Sequence, residues 1–176
     1  MLIVVACFLT GRAVAADNAA LEYKVKAGYL FNFAKFVEWP ESAFTNASAP
    51  FVVGLVGEDP FGTLLEEALA GRNVNGRTFV IRQFGPQEDL SHCHILFVSR
   101  SEKARLANLL EGLRGRAVLT VGEHDRFGQL GGMINFNLMS GQVKLETNPE
   151  AALAAGLKIS SKLLAASKPV KTESAR

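Results

Sequence analysis

Cysteine is nearly absent from this chain: Cys7 and Cys93 are the only two. Cys7 lies in a stretch read below as a leader, so the remainder holds one thiol and no internal disulfide. In an exported protein such a thiol is either buried or open to an intermolecular partner. Histidine is scarce too, at three residues. Charge of one sign never gathers into a block: 19 basic residues face 17 acidic ones, for a net charge of +2. Removing Arg12 with the leader leaves 18 against 17, or +1. That balance excludes a nucleic-acid or anionic-lipid surface built on net charge. Beyond the N-terminus no apolar run reaches the length of about eighteen residues that a membrane helix needs. No GxSxG elbow, no GxGxxG and no P-loop ending is present.

What is there is ample core material. With 176 residues and 48% hydrophobic composition, the chain is read as one folded domain. Residues 1–16, MLIVVACFLTGRAVAA, resemble an export signal. A short apolar segment precedes the small-x-small site Ala13-Val14-Ala15, which places cleavage after Ala15 or Ala16. The basic start of a usual signal is missing, and Val4-Val5-Ala6-Cys7 also fits a lipoprotein site loosely. Residues 17–168 form the predicted domain and 169–176 a polar, mobile tail.

One stretch organises the rest: 21–40, LEYKVKAGYLFNFAKFVEWP. It is predicted as a helix capped by Asp17 and stopped by Pro40. At about 100° per residue, Leu21, Val25, Gly28, Tyr29, Phe36 and Trp39 share one side, while Tyr23, Ala27, Leu30, Ala34 and Val37 share the other. A surface helix needs one apolar stripe, and this one carries nearly two. The side of Tyr23, Ala27, Leu30 and Ala34 is therefore expected to meet another chain, a twin or a partner.

Downstream, FVVGLVG (51–57) and CHILFV (93–98) are continuous apolar runs of the kind covered on both faces of a sheet. Strands are also predicted at 78–84 and 117–121, and helices at 63–70, 99–113 and 149–166. Residues 133–139 and 142–147 alternate around Ser140-Gly141, the pattern of a hairpin with a two-residue turn. The order implies an α/β fold: a mostly parallel sheet with helices on both faces and a C-terminal antiparallel hairpin, Rossmann-like.

Chemistry is harder to find. His92 and His94 would share one face of a strand and Cys93 the other, so the three cannot converge on a metal without a bend. A polar lead-in to the strand accounts for them better. GEDPFG (57–62) joins a strand to a helix where anions often sit, but its two carboxylates repel phosphate. No nucleophile–base pair can be named, so no catalytic residue, metal or cofactor is assigned. Were a small ligand bound, it would lie at the carboxyl ends of the parallel strands, near Glu58, Asp59, Ser99, Arg100 and Gly122.

Four stretches together resemble one family: KVKAGYLFNFAKFVEWP (24–40), VVGLVGEDPFG (52–62), CHILFVSRSE (93–102) and GGMINFNLMSGQVKLETNPEAALAAGLKISSKLL (131–164). They look like the YfiR family of small exported proteins. The resemblance implies a periplasmic, homodimeric α/β protein without enzymatic activity. It further implies repression of an inner-membrane diguanylate cyclase, which restrains cyclic-di-GMP output and biofilm formation, and sequestration by an outer-membrane lipoprotein. Some members pair the cysteine at the place of Cys93 with one whose place is taken here by Gly54; a second pair is absent as well.

Overall fold

The computed structural model describes the backbone of residues 8–170 and side chains from residue 17 onward. The expected leader lies outside the described side chains, and 171–176 outside the described residues altogether. Helix α1 runs from Phe8 to Phe36 and passes into a two-residue strand, β1 (Val37–Glu38). Strand β2 (Phe51–Val56), helix α2 (Leu64–Leu69) and strand β3 (Phe79–Phe84) follow, then β4 (Ile95–Val98), α3 (Leu106–Gly112) and β5 (Leu119–Gly122). The hairpin is β6 (Ile134–Met139) and β7 (Gln142–Thr147). Last come α4 (Pro149–Ala154), β8 (Lys158–Ile159), α5 (Ser161–Ala165) and β9 (Ser167–Pro169).

Seven strands form one sheet in the order β3-β2-β4-β5-β6-β7-β9, parallel except for the β6–β7 hairpin. The hairpin closes through Ser140 and Gly141, both with positive φ (51° and 74°), the conformation a type I′ turn requires. The predicted fold class is therefore the observed one. Side-chain alternation splits the core into two layers. Val53, Leu55, Ile95, Phe97, Leu119 and Val121 point to the face covered by α1 and α2. Leu96, Val98 and Phe84 point to the opposite face, under Leu106, Leu110 and Leu113 around α3.

Three expectations are corrected. Asp17 does not cap α1, because the helix is already formed before it; the helix ends at Phe36, and Val37–Glu38 pair antiparallel with Lys158–Ile159. The single final helix is broken in two. Gly156 takes φ 75°, its N–H donates to Leu153 O (3.0 Å), and Leu157 N–H donates to Ala152 O (2.9 Å). That pair of bonds is a Schellman stop, which a glycine makes without Cβ strain. Ser160 caps α5, its hydroxyl accepting from Leu163 N (3.4 Å). The tail, finally, is not free from its start: Ser167–Pro169 lie parallel to β7, and Val170 N–H donates to Thr147 O (2.8 Å).

The fourth correction concerns α1. Ala27, Leu30 and Ala34, expected at an interface with another chain, are buried in this chain's own core, Leu30 at 0% exposure. The side offered to a partner is the side that covers the sheet. The opposite stripe is only partly relieved. Tyr29 stacks near Phe33 (6.0 Å between ring centroids) and Trp39 meets Phe51 edge-on (5.2 Å), but Leu21 and Val25 stay exposed.

Candidate functional site

The carboxyl ends of the parallel strands do hold the polar chemistry, though not on all the residues expected. β2 and β4 are where the strand order reverses, the usual ligand crevice of such sheets. Here that crevice is filled. Glu58 N–H donates to Ser101 Oγ (2.9 Å), and Gln83 Nε2 donates to Gly57 O (2.6 Å). Gly57, at φ 88°, is so close to Ser101 that a Cβ would stand 2.3 Å from its hydroxyl. Asp59 spends its carboxylate on a local turn, accepting from Phe61 N–H (2.8 Å). Ser99 is buried and Gly122 lies against the Phe127 ring. Of the five expected pocket residues, only Arg100 lines an open cleft.

The cleft opens one strand further along, beyond β4, β5 and the hairpin, with a volume of about 770 Å³. Glu123 and Arg100 in its lining belong to an ion cluster that shares only Arg100 with the expected pocket. Lys26 reaches from α1 to hydrogen-bond both Glu22, one turn back, and Glu123, just after β5. The Lys26 and Glu123 side chains are each 1% exposed. Tyr23, the fourth residue expected at an interface, is half-buried and donates its hydroxyl to Glu123 Oε1 (3.0 Å). Burial and then the neighbouring Glu123 charge push its phenol up to about 12. Arg100 completes the cluster at longer range, 3.4 Å from Glu123 and 3.5 Å from Glu22. Two carboxylates thus face two cations, the arrangement that makes a buried charge tolerable.

Beside the cluster, the Asn135 side chain brackets His124: it accepts from His124 N–H (3.0 Å) and donates to His124 O (2.8 Å). Phe127 is fully buried under the following loop, wedged between Gly122 and Gly132, where a Cβ at either glycine would overlap its ring. That anchor turns Asp125, Arg126 and Leu130 outward to the cleft rim. Arg126 sits at φ 60°, a conformation uncommon outside glycine and enriched at functional loops.

The His92-Cys93-His94 stretch lies at the other end of the sheet. His92 is exposed near Asp89 (3.4 Å). His94 is buried with both ring nitrogens engaged: Nδ1 accepts from Val52 N–H (3.0 Å), so Nε2 carries the proton toward Ala43 O (3.1 Å). Burial, which outweighs the Ala43 bond, lowers its pKa and keeps the ring neutral. The Cys93 thiol is buried, donates to Leu90 O (3.1 Å), and is pushed up to about 12 by desolvation. Among the described residues no group of three or more His, Cys, Asp or Glu is placed to hold a metal.

Lys26 and Glu123 were not legible as a pair, being nearly a hundred positions apart. The Glu22/Lys26 spacing of one helical turn was visible, and Glu123 follows a parallel strand directly; both signals point here in retrospect.

The fold is a single-domain α/β protein with a polar cleft at the carboxyl ends of its parallel sheet. Residues 23–168 match the family model described as YfiR/HmsC-like, and the chain belongs to that family. Membership points to a periplasmic regulator of cyclic-di-GMP signalling that works with a membrane signalling protein, and to a regulatory rather than a catalytic role. No helix among the described residues is long and apolar enough to cross a membrane. A search of curated proteins finds no significant match.

Proposed function

We propose that this protein is exported, loses its leader after Ala15 or Ala16, and represses an inner-membrane diguanylate cyclase by binding its periplasmic part. The observation that carries the reading is the family match over 23–168, which spans nearly the whole α/β domain. Repression lowers cyclic-di-GMP output and with it biofilm formation. The reading includes a homodimer and an outer-membrane lipoprotein that sequesters the repressor. Because Ala27, Leu30 and Ala34 are core, the contact surface has to be drawn from exposed groups; Leu21 and Val25 on α1 are the nearest apolar ones.

The test is deletion and complementation in the source cell, with cyclic-di-GMP measured by mass spectrometry and the protein recovered from the envelope fraction. Deletion should raise cyclic-di-GMP, and an affinity-tagged copy should bring down a membrane cyclase. Unchanged cyclic-di-GMP together with no cyclase in the eluate would overturn the reading. Intact mass reports the leader: retention of residues 1–16 contradicts soluble export.

A second reading, a small-ligand sensor, is favoured by the cleft itself. Its volume lies within the range of about 300–1,000 Å³ typical of small-molecule sites.

A further inference from the structure

We propose that the cleft beyond β4, β5 and the hairpin binds a small amphipathic organic anion, its charged group held by Arg100, Lys103 and Arg126 and its apolar body by Leu130, Leu138 and Met139. The proposal rests on the sensor reading of the cleft and not on repression of a cyclase.

Charge selects the sign of the ligand. In the ion cluster beside the cleft, Glu22 and Glu123 are matched by Lys26 and Arg100. On the rim, Lys103 and Arg126 face the single carboxylate of Asp125. The cleft therefore carries one net positive charge, at the open rim where a ligand arrives. Arg100 is the exposed member of the cluster. It touches the cluster carboxylates only at 3.4–3.5 Å, and its side chain is 58% exposed. It can swing to an incoming anion while Lys26 and Tyr23 continue to satisfy Glu123. Guanidinium suits a planar carboxylate, which it holds by two parallel bonds.

Apolarity selects the body. Among the described residues, seven large hydrophobic side chains are exposed, and three of them, Leu130, Leu138 and Met139, line this one cleft. Leu138 and Met139 end β6, held in place by pairing with Val143 and Gln142 across the hairpin. Such a concentration on a small surface marks a binding site rather than scattered surface residues. Asn137, half-buried between the two halves, offers an amide for orientation.

The probe is octanoate, compared with acetate (charge alone) and octanol (body alone), added to the purified protein and followed by calorimetric titration and thermal shift. Octanoate should saturate one site, bind about tenfold or more tightly than either control, and raise the melting temperature. Arg126→Asn, which keeps a residue tolerant of positive φ, and Leu138→Asn on the exposed hairpin should each weaken octanoate about tenfold while the unliganded melting temperature stays put. Lys103→Gln supplies an independent rim variant. Equal binding of octanol, equal binding of acetate, or octanoate binding unchanged in all three variants would overturn the proposal. The assay contains no cyclase, so its failure leaves the repressor reading standing, and loss of cyclase binding in cells leaves this one standing.

Discussion

Lys26 and Glu123 stand 97 positions apart in the chain and hydrogen-bond each other in the interior, both side chains out of water. The pair ties the first helix to the end of a central strand. Removing one partner strands the other charge. Lys26→Met is expected to cost about 3–5 kcal/mol in denaturant unfolding. Replacing both, as Lys26→Met with Glu123→Leu, should recover most of that loss, since the desolvation penalty of both charges disappears. A double variant as unstable as the sum of the two singles would show that the pair is not the source of the cost.

Tyr23 reports on the same cluster. With its phenol raised to about 12, the folded state holds that proton more tightly than the unfolded chain. Its contribution to stability is thus complete below pH 10 and is lost as pH rises toward 12. Ultraviolet titration of phenolate should show one tyrosine ionising late. Tyr23→Phe should remove that late step.

Leu30 tests the corrected role of α1. Leu30→Ala should destabilise by about 2–5 kcal/mol, the range for emptying a packed leucine site. Leu30→Glu should unfold the domain rather than alter its assembly, because the carboxylate would be buried without a partner. Sedimentation and denaturant unfolding on both variants distinguish the two roles. A folded Leu30→Glu protein of changed mass would restore the interface.

Gly54 and Cys93 meet under the other layer. A Cβ at Gly54 would lie 2.8 Å from the Phe84 ring, 3.0 Å from Leu96 and 3.1 Å from the Cys93 sulfur. Gly54→Ala is therefore expected to cost about 1–3 kcal/mol through overpacking. Cys93 itself should label slowly with a thiol reagent at pH 8 under native conditions, since burial keeps it protonated. Fast labelling, or a disulfide-linked dimer without reductant, would contradict the buried thiol.

Much of the fold was legible because period and punctuation agreed. The continuous runs at 51–57 and 93–98 became central strands, and Ser140-Gly141 made the hairpin turn. The last helix misled because AALAAGLKISSKLLAA (151–166) carries helix-forming residues on both sides of Gly156, and the pairing of Lys158–Ile159 with Val37–Glu38 makes the break worthwhile. For α1, periodicity located two stripes but not which one met the sheet. The deciding residues, Phe33 and Lys26, belong to neither stripe: Phe33 stacks on Phe136 (5.9 Å) and Lys26 is held by Glu123. At the proposed site, the rule of strand carboxyl ends pointed to the end of the sheet where the cleft lies. It could not foresee that Ser101 and Gln83 close the crevice and move the opening along to the hairpin.

The pairing of β1 with β8, and of β7 with β9, bears on when during synthesis this domain becomes finished. Val37 waits for Ile159, and Leu145 waits for Ser167. A nascent chain that has reached only residue 157 has neither closed the β1–β8 ribbon nor covered the β7 edge of its sheet. Such long-range closures make folding slow and late. The domain therefore stays unfinished until Ser167–Pro169 have been made.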